Sequence, residues 1–151
     1  MNQSLVEANE WSIIESKYSP ETVVSAESLF SLGNGAMGQR ANFEENYSKD
    51  TFQGSYLAGV YYPDKTKVGW WKNGYPEYFA KVLNAPNWIG IEVLISGEEL
   101  DIAAAAEVLN FRRELNMKEG WYCRTFEVIL NNGAHVQVKS TRFLSLALDE
   151  V

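Results

Sequence analysis

Gly33-Asn34-Gly35-Ala36-Met37-Gly38 has the G-x-G-x-x-G spacing that lets a dinucleotide pyrophosphate approach the backbone at a helix N-terminus. That chemistry also needs a βαβ unit and an acidic residue ending a strand about 20 positions on. At that distance lie Ser55 to Ala58, amid β-patterned sequence, so the motif reads as a glycine-rich turn between strands, and no nucleotide cofactor is expected. Cys123 and His135 are the sole cysteine and histidine. A thiol nucleophile and its base must lie within hydrogen-bond reach, whereas the hairpin described below sets these two roughly 20 Å apart at ~3.3 Å per residue. One cysteine cannot close a disulfide within the chain, and two ligands are too few for a Cys/His zinc site.

Adjacent acids occur at Glu44-Glu45, Glu98-Glu99 and Asp149-Glu150. A glycosidase needs two carboxyl groups flanking the scissile bond, but neighbours on a strand point to opposite faces, so these pairs, and likewise Arg112-Arg113, read as surface charge. Trp70, Trp71, Tyr75, Tyr78 and Phe79 place five aromatics within ten residues. Flat aromatic faces beside polar groups suit sugar rings, and large aromatics equally anchor domain interfaces. Both readings stay open for this segment.

The elements that would position these residues are short β-branched and aromatic runs, cut every 8 to 12 positions by Gly, Pro or Asn, as in an all-β antiparallel sandwich. Candidate strands are Trp11 to Tyr18, Glu27 to Leu32, Gly54 to Tyr62, Trp88 to Ile95, Val108 to Leu115, Tyr122 to Leu130 and Ala134 to Leu146. Asn131-Asn132-Gly133 predicts a three-residue hairpin loop with Gly133 in the left-handed region. Placing Leu130 opposite Ala134 then pairs Phe126 with Val138 and Val128 with Val136, and on the other face Glu127 with Gln137 and Thr125 with Lys139. Four alanines, Ala103 to Ala106, suit a single helical turn. Asp64 to Pro76, rich in Gly, Lys, Asn and Trp, reads as a long surface loop.

The chain has 151 residues, 46% of them hydrophobic and 22% charged, which suits one globular domain rather than a disordered or fibrous chain. A domain of this size buries roughly 68 to 70% of its unfolded surface and needs no disulfide or metal. Twenty acidic against 13 basic residues give a formal charge of -7, a sign that repels phosphate backbones and anionic lipid. Neither a nucleic-acid nor a membrane partner is expected, and no apolar run reaches the ~18 residues of a membrane helix. Met1 to Glu10 lack the basic start and apolar centre of a signal peptide, so a cytoplasmic location is expected. The chain ends at Asp149-Glu150-Val151 directly after an apolar strand pattern, which predicts an incomplete domain.

Beyond these local readings, the run Glu27-Ser28-Leu29-Phe30-Ser31-Leu32-Gly33-Asn34-Gly35-Ala36-Met37-Gly38-Gln39-Arg40-Ala41-Asn42-Phe43-Glu44-Glu45 resembles the signature near the start of glycoside hydrolase family 65. Asn84-Ala85-Pro86-Asn87-Trp88, then Phe111 to Gly120 continuing to Arg142-Phe143-Leu144-Ser145-Leu146, resemble later blocks of the same N-terminal domain in the same order. The resemblance runs from about Trp11 to Leu146. Two positions depart from it: Ala36 stands where members often carry a bulky residue, and Ala41 where glycine is usual.

The resemblance implies a galactose mutarotase-like supersandwich over residues 1–151, the truncated N-terminal domain of a larger enzyme whose catalytic (α/α)6 barrel lies outside this chain. It implies a disaccharide phosphorylase or hydrolase acting on maltose, trehalose, kojibiose or nigerose, with inorganic phosphate as co-substrate of a phosphorylase and no other cofactor. The acid and the phosphate site belong to the barrel, so no catalytic residue is expected here. The segment would supply scaffold, a wall of the substrate cleft and part of a homodimer interface, with Trp70, Trp71, Tyr75, Asn34 and Arg40 as cleft or domain-interface candidates. The alternative is a stand-alone carbohydrate-binding module using the loop around Trp70 and Trp71.

Overall fold

The structure, a computed structural model, describes residues 6–66 and 76–147. The chain enters through β1 (Glu7–Ala8) and β2 (Ser12–Glu15), joined by a turn in which Oδ1 of Asn9 accepts from the N–H groups of Trp11 and Ser12 at 2.9 and 2.7 Å. A 3-10 turn at Pro20–Thr22 then leads into helix α1 (Val23–Leu29). This corrects the strand expected over Glu27 to Leu32, of which Glu27 to Leu29 are helical and β3 (Leu32–Gly33) alone is extended. The reason lies in spacing: Val23, Ala26, Glu27 and Phe30 recur at i, i+3, i+4 and i+7, and all four are buried. Proline in the first turn brings a fixed φ suited to helix entry. Glu27 hides the pattern on paper because a carboxylate occupies an inward position.

Strand β4 (Met37–Gln39) pairs with β3 and with β5 (Ser55–Leu57). The G-x-G-x-x-G run is thus the turn between two strands, as expected, with Gly35 at φ +90°. The candidate Gly54 to Tyr62 is split by Gly59, at φ +81°, into β5 and β6 (Tyr61–Lys65), which pairs with β7 (Tyr78–Val82) in a two-stranded ribbon. The candidate Trp88 to Ile95 shrinks to β8 (Leu94–Ile95), paired with β9 (Glu98–Glu99). Upstream of β8 the backbone makes single bonds, Ile91 N–H to the Glu44 carbonyl and Leu100 N–H to the Val93 carbonyl, in place of a ladder. Residues 103 to 106 open on the expected single helical turn, with the N–H groups of Ala104 and Ala105 both donating to the Asp101 carbonyl.

The remaining strands are the longest: β10 (Glu107–Asn116), β11 (Trp121–Ile129) and β12 (His135–Phe143). They join the entry strands in an antiparallel sheet of order β1-β2-β10-β11-β12. The β11–β12 register matches the expected one at Phe126/Val138, Val128/Val136, Glu127/Gln137 and Thr125/Lys139. Gly133 has φ +85° and the Leu130 N–H donates to the Ala134 carbonyl at 2.9 Å. Cys123 lies opposite Thr141 and His135 opposite Ile129, so thiol and imidazole stay far apart. In β10 a bulge at Asn110, φ 51°, shifts the register between Leu109 and Arg112.

The chain is thus an all-β, largely antiparallel domain of sandwich type with one short helix. The inner face of β10 and β11 feeds two apolar clusters: Phe111, Phe126 and Val128 pack with Val23, Phe43, Leu100 and Ile102, and Leu115 and Tyr122 pack with Ala26, Phe30 and Ala41. Each of the larger aliphatic and phenyl side chains contributes on the order of 1.5–3 kcal/mol by leaving water. Among the described residues no helix is long and apolar enough to cross a membrane.

Glu98 turns out to be a loop cap rather than free surface charge. Its carboxylate accepts from the N–H groups of Asn131 and Asn132 at 2.9 and 2.7 Å and from the Asn131 side-chain amide at 3.0 Å. The Asn131 N–H in particular holds this carboxyl below the usual carboxylate range. Because the folded value is depressed, the cap acts above the ordinary carboxylate range and is lost as pH falls through the lowered value. Glu98→Ala is expected to speed amide exchange at Asn131 and Asn132 at neutral pH while leaving β11 protected. Unchanged exchange at both amides would remove the cap from the account.

Candidate functional site

The family-like run from Glu27 to Glu45 folds into a shell of charge held inside the sandwich. Helix α1 points Glu27 inward, 1% exposed. Its Oε1 accepts from Nδ2 of Asn42 at 2.9 Å and from the Thr51 hydroxyl, and its Oε2 accepts from the Phe52 N–H at 2.8 Å. The Asn42 side-chain oxygen takes the Gly54 N–H at 3.1 Å. One buried carboxylate and one buried amide therefore tie the helix to the segment leading into β5.

A second group sits on β11 and β12. Arg124 is wholly buried and forks onto Glu45, with Nη1 donating to Oε1 at 2.7 Å and Nη2 to Oε2, while Nη2 also reaches Oε2 of Glu44 at 2.8 Å. Arg142 closes the set: its Nε lies 2.7 Å from Oε1 of Glu44, and its Nη groups donate to the carbonyls of Arg40 and Asn42. The Arg124 guanidinium is stacked between Phe43 and Phe126, 4.1 and 4.9 Å from the ring centroids. Burial opposes its charge, yet Glu45 above all more than offsets this and holds the group firmly protonated. Arg113, 1% exposed, pairs with Glu15 across β10 and β2 and lies over Phe30, Phe111 and Phe43.

These contacts correct the reading of Glu44-Glu45 and Arg112-Arg113 as surface charge. Arg112 is exposed and pairs with Glu114, but Arg113, Glu44 and Glu45 belong to the interior network. The alternation Tyr122, Arg124, Phe126, Val128 carried the signal, since it places Arg124 on the same face as three core residues. The carboxylates of Glu27, Glu44 and Glu45 all have cationic or amide partners, so what they do here is fix the backbone between residues 39 and 54.

Among the expected site residues, Asn34 and Arg40 make separate contacts. Asn34 Oδ1 accepts from the N–H groups of Ala36 and Met37, and Nδ2 donates to the Ser145 carbonyl at 2.8 Å, clasping the glycine turn to the chain beyond β12. Arg40 donates from Nε to the Phe52 carbonyl at 2.7 Å and from Nη2 to the Val24 carbonyl, with Glu27 at 3.9 Å. Trp70, Trp71 and Tyr75 lie outside the described residues.

Next to the charge network the surface opens into a polar concavity of about 320 Å³, bounded by the turn at residues 42–47, the segment 87–92 and Glu99. The Tyr47 hydroxyl accepts from Tyr18 at 3.3 Å, and burial pushes the Tyr47 phenol up, so at neutral pH its own proton remains to donate.

Comparison with known proteins places this geometry. Residues 13–151 match the model for the glycosyl hydrolase family 65 N-terminal domain. Over its full length the chain is 51% identical to the maltose phosphorylase of Bacillus subtilis, of which it spans 20%. It is 32% identical to the kojibiose phosphorylase of Halothermothrix orenii, over 93% of this chain and 16% of that protein. A solved structure from the human microbiome, provisionally named a kojibiose phosphorylase, superposes with a TM-score of 0.81 at 30% identity, covering 95% of this chain and 19% of the other. The chain thus spans about a fifth of the length of the relatives it matches. With the model matched along nearly its whole length and the fold shared, the chain belongs to glycosyl hydrolase family 65, whose N-terminal domain it represents.

Proposed function

We propose that this chain is the N-terminal sandwich of an inverting disaccharide phosphorylase that acts on maltose. The observation that carries the reading is the 51% identity to a maltose phosphorylase, against 32% and 34% to kojibiose and trehalose phosphorylases. In the reaction a carboxylic acid protonates the glycosidic oxygen while inorganic phosphate attacks the anomeric carbon from the opposite face. The bond from that carbon to the glycosidic oxygen breaks and a bond to a phosphate oxygen forms. An α-linked disaccharide therefore yields glucose and β-glucose 1-phosphate.

In this reading the acid and the phosphate donors come from the catalytic barrel elsewhere in the polypeptide, and the segment itself is non-catalytic. Its part is to scaffold: the signature residues Glu27, Asn34, Arg40, Glu44 and Glu45 direct their polar groups to partners within the domain. Trp70, Trp71 and Tyr75 are assigned to the wall of the cleft or to the interface with the barrel or a second subunit, in a cytoplasmic homodimer. The test supplies the full-length polypeptide with maltose, kojibiose or trehalose, with and without phosphate. Phosphate-dependent release of β-glucose 1-phosphate from maltose is expected. Glucose release at the same rate without phosphate would make the parent a hydrolase, and faster turnover of kojibiose or trehalose would reassign the substrate.

A further inference from the structure

The polar concavity beside residues 42–47 is left unexplained by scaffolding. Its floor is fixed by bonds already described, Glu27 to Asn42 and Glu45 to Arg124. Its rim carries polar groups with spare capacity. The Gln53 side-chain amide has no partner among the described residues, and neither does Nδ2 of Asn87, whose Oδ1 accepts from the Ile89 N–H. Asn46 donates to Glu99 and keeps its side-chain oxygen open. Glu92 makes no ion pair among the described residues, and Tyr47 retains its hydroxyl proton.

These groups select a ligand class by elimination. Among the described residues no lysine, arginine or histidine lines the space, which disfavours a phosphate or carboxylate ligand. The charges of Glu44 and Glu45 are matched by Arg124 and Arg142, and among the described residues no group of three or more Asp, Glu, His or Cys side chains is placed to hold a metal ion. The wall is mainly amide, hydroxyl and carboxylate, the wrong surface for an apolar guest. Planar groups offering both donors and acceptors suit a ligand that offers both in turn, as an array of neighbouring hydroxyls does. The volume is near the lower end of the range for small-molecule sites, in keeping with one or two sugar rings.

We propose that the concavity rimmed by Asn46, Tyr47, Gln53, Asn87, Glu92 and Glu99 binds a neutral sugar. The site rests on these side chains and not on the assignment of a phosphorolytic reaction. Equilibrium dialysis of the full-length polypeptide with radiolabelled glucose and maltose tests it by counting bound equivalents, the proposed site being the one in excess of the catalytic site, and the isotherm of that excess is compared between the natural protein and Gln53→Ala/Asn87→Ala. Both positions are on the rim, so the fold should tolerate truncation, and matching thermal midpoints check this. A second variant works by steric means. A methyl at position 90 would come 2.8 Å from Nδ2 of Asn87, so Gly90→Ala should displace that amide.

Sugar binding at least tenfold weaker in the double variant, and weakened in the same direction by Gly90→Ala, is expected. Isotherms that superimpose on that of the natural protein would overturn the proposal. So would competition by inorganic phosphate or glucose 6-phosphate at this site as effective as that by glucose. Turnover measured in parallel separates the two readings: Asn87-dependent binding without phosphorolysis sinks the parent activity and leaves the site standing, and phosphorolysis with unchanged isotherms does the reverse.

Discussion

Arg124→Ala should lower the stability of this domain by about 3–5 kcal/mol, the usual result of removing one partner from a buried ion pair. The guanidinium is fully buried and carries two hydrogen bonds to Glu45 and one to Glu44. Truncation leaves Glu45 inside the sandwich with no other ion pair among the described residues, and opens a gap between Phe43 and Phe126, which now stack on the lost group. Arg124→Lys keeps a charge but not the two-pronged geometry, so it should recover only part of the loss. Arg124→Met combined with Glu45→Leu should restore much of it, because no buried charge is then left alone. Native-state hydrogen exchange of β10 to β12 provides the measurement, with exchange about a hundredfold or more faster in Arg124→Ala. Exchange within threefold of the natural protein would show that the network is not what holds these strands.

The second large effect is expected at Glu27, whose truncation to alanine should cost about 2–4 kcal/mol. Two donors lose their acceptor at once, the Thr51 hydroxyl and the Phe52 N–H, and the Asn42 amide loses one of its two, keeping the Thr51 hydroxyl oxygen at 3.1 Å. A donor left without a partner costs desolvation according to its burial, and the Thr51 and Phe52 donors are part-buried. The Phe52 amide should therefore exchange much faster in Glu27→Ala, with a smaller increase at Gly54, whose acceptor Asn42 would then be held by Thr51 alone. Glu27→Gln keeps the shape and one acceptor oxygen and should lose roughly half as much. If Glu27→Ala unfolds with the midpoint of the natural chain, the carboxylate is not the tie between α1 and the 51–54 segment.

What the residue order announces and what it conceals follow from one physical difference. Where side chains alternate by polarity, the fold is legible: Phe126, Val128, Val136 and Val138 set the β11–β12 register, and Gly133 sets its turn. Where a charged side chain occupies an inward position, alternation misleads. Glu27 makes an amphipathic helix look like a strand, and Glu45, Arg113 and Arg124 look like solvated charge until their partners are known. Those partners are 98 and 79 positions apart in the chain for Arg113–Glu15 and Arg124–Glu45, beyond any local pattern. The concavity is hidden for the same reason, since Gln53 and Asn87 meet only through tertiary structure. The family-like blocks were readable because they are contiguous runs, and the match over residues 13–151 agrees with them.

The pairing of β2 with β10 sets a schedule for synthesis. Glu15 leaves the ribosome 98 residues ahead of Arg113, which at ~5–20 residues per second is roughly 5–20 s. For that interval Ile13 and Ile14 have no strand beside them other than β1, because their neighbours across the sheet are Leu115 and Glu114. The hairpins among β10, β11 and β12, by contrast, can close in about 1–10 μs once their residues emerge. Within the five-stranded sheet, β10, β11 and β12 thus join by local hairpins, whereas β2 can take its place only after β10 has been made.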